Sequence, residues 1–294
     1  MDFNSGKSLL ELCEKENLPI SEIMRRREEF LKDITGEECD RKMKKALDIM
    51  ENSVHEALEK PVKSVGGLIG GEAEKVRAHR RAGKAVCGEV LSRAISHSMA
   101  VLELNASMGL IVAAPTAGSS GVVPGLLLAL QEVHDFTDEE IMNALYTAGA
   151  VGYLLMRNAS VAGAEAGCQA EVGAASAMAA AAAVELFGGT PKQCMDAAST
   201  ALSNLLGLVC DPVAGLVEAP CQSRNAIGVA NALTCAEIAL SGVSQWIPFD
   251  EMAEAMYRVG RRIPFELRET ALGGCAATPT GCEKQCQIFR NQEN

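Results

Sequence analysis

The chain has 294 residues, 48% of them apolar but only 4% aromatic, with eleven cysteines and a net charge of −11 at pH 7. That length holds one large core or two small ones, and the acidic balance argues against nucleic acid and anionic membrane surfaces as partners. A cysteine-rich chain this long, with no basic-then-apolar leader in MDFNSGKSLLELCEKENLP, reads as carrying free or metal-bound thiols in a reducing cytoplasm, not a disulfide framework. No stretch reads as a membrane span: residues 109–130 are interrupted by Pro115, Ser119, Ser120 and Pro124, and the alanine run at 172–187 is too short.

Residues 8–60 predict polar helices. Ser8 and Glu11 make an S-x-x-E capping pattern, and the charged runs RRREEFLKD and EECDRKMKK follow. Residues 1–60 are therefore read as a solvated helical arm, closed by Pro61, ahead of a catalytic region at 61–294. From Val62 the composition turns to Gly, Ala and small apolar residues. GGLIGGEAEKVRAHRRAG (66–83) is a glycine cluster feeding a charged helix, and AAPTAGSSGVVPG (113–125) is a second glycine-rich turn. Thr137 with Glu140 caps the next helix. GAEAGCQAEVGAASAMAAAAAVELFGG (163–189) is a glycine turn followed by an alanine helix that stops at Gly188-Gly189. Thr190, Pro191 and Gln193 start another helix. Asp250 is read as the cap of a last helix in which Met252, Met256, Val259 and Ile263 share a face. The tail after residue 283 is polar and is expected to be flexible. With almost no alternating β-branched run, the fold class is all-α: Ala/Gly-rich packed helices with glycine-rich loops.

Chemistry-bearing groups are few. GGLIGG is neither a P-loop nor a dinucleotide fingerprint; close helix packing or a nest for a carboxylate suits it better. Lys63, beside that cluster, is the one lysine placed to form a Schiff base with pyridoxal phosphate, but an all-α pattern does not suit that cofactor. The four histidines, His55, His79, His97 and His134, show no metal-ligand spacing. His97 borders apolar sequence and is either a core residue or a site residue.

The cysteines divide by context. Cys13 and Cys39 lie in the polar arm, and Cys87, Cys194 and Cys235 lie inside helical patterns as small apolar residues. Cys168, Cys210 and Cys221 each follow a Gly- or Pro-bearing break and are read as opening a helix, where orphan N–H groups favour a thiolate, the form that binds metal. Their gaps of 42 and 11 residues match no zinc ribbon.

The strings APTAGSSG, GAEAGCQAEVG, CDPVAG, PCQSRNAI and RETALGG, in this order, resemble the catalytic part of the iron–sulfur-dependent L-serine dehydratases (L-serine ammonia-lyases). Over residues 60–282 the chain is similar to the alpha subunit of the two-subunit form. The resemblance implies a 4Fe-4S cluster held by Cys168, Cys210 and Cys221 and no pyridoxal phosphate. It implies an iron left open to act as a Lewis acid on the β-hydroxyl of L-serine, giving pyruvate and ammonia. It further implies that Thr116, Ser119 and Ser120 grip the substrate carboxylate, that Lys75 pairs with it, and that Arg224 and Asn225 bond cluster sulfur or substrate. Single-chain relatives often carry Asn at the position of Ala117, so a side-chain amide contact is not expected there. Cys282 resembles a near-terminal family cysteine and is read as a displaceable fourth ligand, with Cys275 and Cys286 nearby. A histidine motif found in the other domain of single-chain relatives is expected from a beta-type partner subunit. Two other readings stay open: an L-cysteine desulfidase using the same cluster, and a non-catalytic redox or electron-transfer iron–sulfur protein.

Overall fold

The computed structural model describes residues 2–60 and 62–292; Pro61, read as the end of the arm, lies outside them. Among the described residues there are thirteen α-helices: α1 Gly6–Glu16, α2 Ile20–Lys32, α3 Gly36–Glu59, α4 Glu72–Arg81, α5 Gly88–Ala106, α6 Val122–His134, α7 Asp138–Asn158, α8 Gly163–Ala166, α9 Ala174–Leu186, α10 Pro191–Asn204, α11 Cys221–Leu240, α12 Phe249–Gly260 and α13 Pro279–Gln292. Among the described residues there is no named strand, only one isolated bridge between Cys210 and Arg268. Nor is any helix among them long and apolar enough to cross a membrane.

The alanine helix α9 forms the centre. Every residue from Ala174 to Val184 is buried, and α6, α7, α10 and α11 pack around it. A helix apolar on all sides belongs in a core, and alanine lets the neighbouring backbones come close. A second layer forms on α5, which contacts α3, α4, α6 and α11. At the α5–α6 crossing a Cβ on Gly125 would stand 2.8 Å from the backbone N of Ser98, so only glycine fits this approach.

The N-terminal helices are amphipathic parts of the body, not a solvated arm. Leu9, Ile20, Ile23, Leu47 and Val54 are at most 1% exposed and join the same apolar core, as do Cys13 and Cys39. The charged runs are the outward faces of these helices, where Arg25 pairs with Glu22 and Glu29. Arg27 lies over the rings of Phe3 and Tyr153.

The helix starts test the capping patterns one by one. Thr137 with Glu140 and Thr190 with Gln193 form capping boxes. The first box uses Ser5 as the cap and Ser8 as its partner, one turn earlier than the Ser8–Glu11 reading. Asp250 lies inside the first turn of α12, and its carboxylate instead accepts from the amides of Gly6 and Lys7, capping α1 across the fold at 2.6 and 2.9 Å. Cys87 is the exposed residue preceding α5 and not a helix-interior cysteine. The tail from 279 to 292 folds as helix α13, which packs against residues 213–215.

Candidate active site

Cys168 and Cys210, 42 residues apart in sequence, meet at one buried point, and Cys221 is buried eleven residues further on. Cys168 sits before a π-helical turn, Gln169–Gly173, that leads into α9. Cys210 lies in the segment linking α10 to α11, and Cys221 is the first residue of α11. The first two segments are sewn together: Gln169 N donates to the Leu208 carbonyl and Gly207 N donates to Gln169 Oε1, both at 2.9 Å. The three sulfurs are nearly inaccessible, with Cys168 and Cys210 at 2% exposure and Cys221 at 7%.

Cys210 departs from the sequence reading. It opens no helix but forms the isolated bridge. Its amide donates to the Leu267 carbonyl at 2.9 Å, and its carbonyl accepts from Glu269 N at 2.7 Å. The RETALGG segment therefore supports this cysteine from behind. Burial outweighs the helix-start amides at Cys221 and also holds the Cys210 thiol up. The Cys210 thiol is pushed up by its hydrogen bond with Cys168 and then by desolvation, and desolvation followed by the nearby Cys168 pushes Cys221 up. A bound cation would have to displace these protons.

A residue that the cysteine spacing had not flagged completes the group. Glu171 lies three positions after Cys168, and its Oε2 faces both sulfurs, 4.0 Å from Cys168 Sγ and 3.8 Å from Cys210 Sγ. Its Oε1 accepts from Thr116 Oγ1 at 2.8 Å. One donor atom from each of Cys168, Glu171 and Cys210 lies within 4.8 Å of the others. Burial raises the pKa of Glu171, against the opposing effect of the Thr116 bond. The spacing of three was the signal available in the sequence, since it brings two side chains to one helical face.

Arg224 and Asn225, one turn into α11, link the thiols to the second glycine-rich turn. Arg224 Nη1 donates to Cys168 Sγ at 3.5 Å and to the Val209 carbonyl at 2.9 Å, while Nη2 pairs with Asp211 at 2.6 Å. Asn225 donates to the Gly118 carbonyl at 2.8 Å and accepts from Gly121 N at 3.1 Å. These bonds hold the 116–121 turn beside Cys221. Thr116 and Ser119 share a 3.1 Å hydroxyl contact, and Ser120 donates to the Ala117 carbonyl at 2.8 Å. Asp211 is a further participant that the sequence reading passed over. Burial opposes its charge, but the Cys275 amide and Arg224 outweigh that and hold its carboxyl below the usual range.

The other predicted residues make contacts of their own. Lys75 is exposed on α4 and its ammonium is 3.6 Å from Glu72. Cys282 lies on α13 with its Sγ 3.7 Å from the Ala276 carbonyl. Cys275 is tied closer to the centre, because its amide donates to Asp211 at 2.6 Å. His97 is a buried residue of α5 at 3% exposure, with Nδ1 unpartnered and Nε2 3.7 Å from Glu132. Burial, reinforced by His55 and neighbouring arginines, lowers its pKa to about 3.

The first glycine cluster is a nest for the protein's own carboxylates. Glu218 accepts from Ser64 Oγ at 2.6 Å, Gly66 N at 2.6 Å and Leu68 N at 2.9 Å. Glu103, fully buried, accepts from Gly71 N at 2.9 Å and from Ala73 N and Gln222 Nε2 at 2.8 Å. Glu218 and Gln222 flank Cys221, so the 64–73 loop is pinned to the same helix start.

Fold and site together define an all-helical protein with a buried group of two thiols and a carboxylate, Cys168, Cys210 and Glu171. The serine dehydratase alpha chain family matches residues 15–276, and the chain belongs to that family. It is 48% identical to the probable L-serine dehydratase alpha chain of Bacillus subtilis, over 98% of this chain and 95% of that one. It is 42% identical to the L-serine dehydratase alpha chain of Peptoniphilus asaccharolyticus, over 95% and 96%. It is also 38% identical to an L-serine dehydratase of Helicobacter pylori, over 94% of this chain but 62% of that longer one.

Proposed function

We propose that this chain is the alpha subunit of an L-serine dehydratase that converts L-serine to pyruvate and ammonia, with Cys168, Cys210 and Cys221 holding a 4Fe-4S cluster. The observation that carries the reading is the close approach of the buried Cys168 and Cys210 thiols, with Cys221 buried at the start of α11 and the Arg224 guanidinium donating to Cys168 sulfur at 3.5 Å. The donor set fits the group: iron takes soft thiolate ligands, and hydrogen bonds to cluster sulfur tune it. When bound, such a cluster supplies an open iron that acts as a Lewis acid.

The chain's own residues do the rest. Thr116, Ser119 and Ser120 lie on a short helical turn whose first amides lack intrahelical partners, which suits a substrate carboxylate. Asn225 fixes this turn against α11, so the carboxylate and the thiol centre keep a constant separation. Arg224, braced by Asp211, carries positive charge toward sulfur and does not swing away. The burial of the three cysteines limits water at the reacting carbon. Removal of the α-proton and the β-hydroxyl leaves an enamine, which tautomerises to an imine and takes up water to release pyruvate and ammonia. The proton acceptor is assigned to a beta-type partner, whose existence is supported by the alpha-chain names of the two relatives matched over nearly their full length.

The test is anaerobic reconstitution with iron and sulfide, followed by a pyruvate assay on L-serine with a beta-type partner. Cys210→Ser is expected to lose the visible cluster absorbance and to lower turnover by at least about 100-fold, because even outer-shell changes at metal centres cost 10–100-fold. Full iron content and full turnover in Cys210→Ser would overturn the assignment. Sulfide release from L-cysteine, without pyruvate from L-serine, would move the reading to a desulfidase.

A further inference from the structure

We infer that, without its cluster, the protein binds a single thiophilic divalent cation such as zinc on Cys168, Cys210 and Glu171, and that this ion blocks cluster assembly. The binding half stands on geometry alone; the blocking half rests on the function proposed above, since both occupants need the same two cysteines.

The spacing is that of donors around one ion. Metal bonds of about 2.0–2.3 Å at a tetrahedral angle place two ligand atoms roughly 3.6 Å apart. Glu171 Oε2 is 3.8 Å from Cys210 Sγ and 4.0 Å from Cys168 Sγ, and all three groups lie within 4.8 Å of one another. Two thiolates and a carboxylate form a donor set for zinc or cobalt and leave a fourth position for water.

The carboxylate is built into this position. Its two oxygens have separate tasks: Oε1 is held by Thr116, and Oε2 is left to the sulfurs. Burial works against charge on this carboxylate, and its partners are the Thr116 hydroxyl and the two thiols. Two glycines make room for it. A Cβ at Gly163 would collide with Oε2 and stand 3.1 Å from Cys210 Sγ, and one at Gly118 would stand 3.1 Å from Oε1. Outer-shell support of a ligating carboxylate by a hydroxyl is the arrangement metal sites use to fix ligand orientation. Cys221 lies outside this trio, which separates the single-ion set from the three-thiol set.

The experiment is an anaerobic Co2+ titration of chelator-treated, metal-free protein, read by the thiolate-to-cobalt charge-transfer band. Wild type is expected to take up one equivalent. Cys210→Ser abolishes the band. Glu171→Gln, which keeps side-chain volume and an acceptor for Thr116, weakens the apparent affinity by about 10-fold or more. Cys221→Ser binds Co2+ as wild type does but fails to assemble a cluster. Far-UV circular dichroism establishes that each variant is folded. Zn2+ added before iron and sulfide should suppress cluster absorbance in wild type and suppress it less in Glu171→Gln. Unchanged Co2+ affinity in Glu171→Gln, or loss of the band in Cys221→Ser, would overturn the single-ion site. Cobalt binding with this variant pattern, in a protein that never takes up iron and sulfide, would sink the cluster reading and leave the single-ion site standing.

Discussion

The two glycine-rich segments look alike in sequence and do opposite things. In the 64–73 loop the backbone amides are consumed by the protein: Glu218 and Glu103 accept from Gly66, Leu68, Gly71 and Ala73, and nothing is left to recruit a ligand. In the 113–121 turn the anchors are side chains of another helix, and Thr116 reaches out to Glu171 beside the thiols. A glycine cluster can therefore be a closed joint or an open wall of a site. The difference is set by buried acids 30 or more residues away in the chain, not by the glycines.

The largest expected effect tests whether the first loop is a closed joint. Glu218→Ala leaves the Ser64 hydroxyl and the amides of Gly66 and Leu68 without their acceptor. At 1–3 kcal/mol for each unsatisfied group, a loss of about 3 kcal/mol is expected, which corresponds to a fall in Tm of roughly 6–10 °C. Differential scanning calorimetry checks this. A normal Tm with a large rise in KM for serine would instead make that loop part of the substrate site.

A smaller effect sharpens the other half. Thr116→Val removes the bond to Glu171 and a hydroxyl on the wall of the site. A hydrogen bond to a charged group contributes about 1.5–3 kcal/mol, so kcat/KM for L-serine should fall by roughly 10-fold or more while Tm shifts little. A fall in Tm as large as that of Glu218→Ala would erase the distinction between the two segments.

The smallest effect concerns α5, which carries Glu103 and also packs against the 117–119 turn. His97 on this helix has a folded-state pKa of about 3, below its unfolded value near 6.5. Between those two values the unfolded chain takes up a proton that the folded chain refuses, so stability falls as pH drops below about 6.5, by up to about 1.4 kcal/mol per pH unit. His97→Leu should flatten that part of the denaturant-midpoint profile between pH 6.5 and 5. An unchanged slope would show that other groups govern acid sensitivity in the helix shared by both loops.

Local rules carried the sequence reading a long way. The capping boxes at Thr137 and Thr190 and the stop at Gly188-Gly189 follow from patterns within a few residues. What was not legible depends on distant partners. Asp250 looked like a cap for its own helix, but α1 lies across the fold and takes its carboxylate. Charge density made residues 8–60 look solvated, because the composition of one helix face hides the apolar residues of the other. Cys210 was read as a helix start because nothing near it in sequence announces the 267–269 segment that brackets it. Proximity to glycines and to the chain end says nothing of the partners that Lys75 and Cys282 meet in the fold, Glu72 for the one and the Ala276 carbonyl for the other.

The crowding around α9 has a consequence for how this gene can drift. A single-nucleotide change in any alanine codon yields Thr, Ser, Pro, Gly, Val, Asp or Glu. In a helix with no solvent-facing side from Ala174 to Val184, proline breaks the backbone, acids bury a charge, and Val or Thr overfill the gap to α7 or α10. Serine survives where a carbonyl is within reach, as Ser176 finds the Gly228 carbonyl at 3.0 Å. Neutral exploration along this helix is thus confined to a near two-letter alphabet, and the helix that begins just after Cys168 and Glu171 is also the one with the fewest mutational exits.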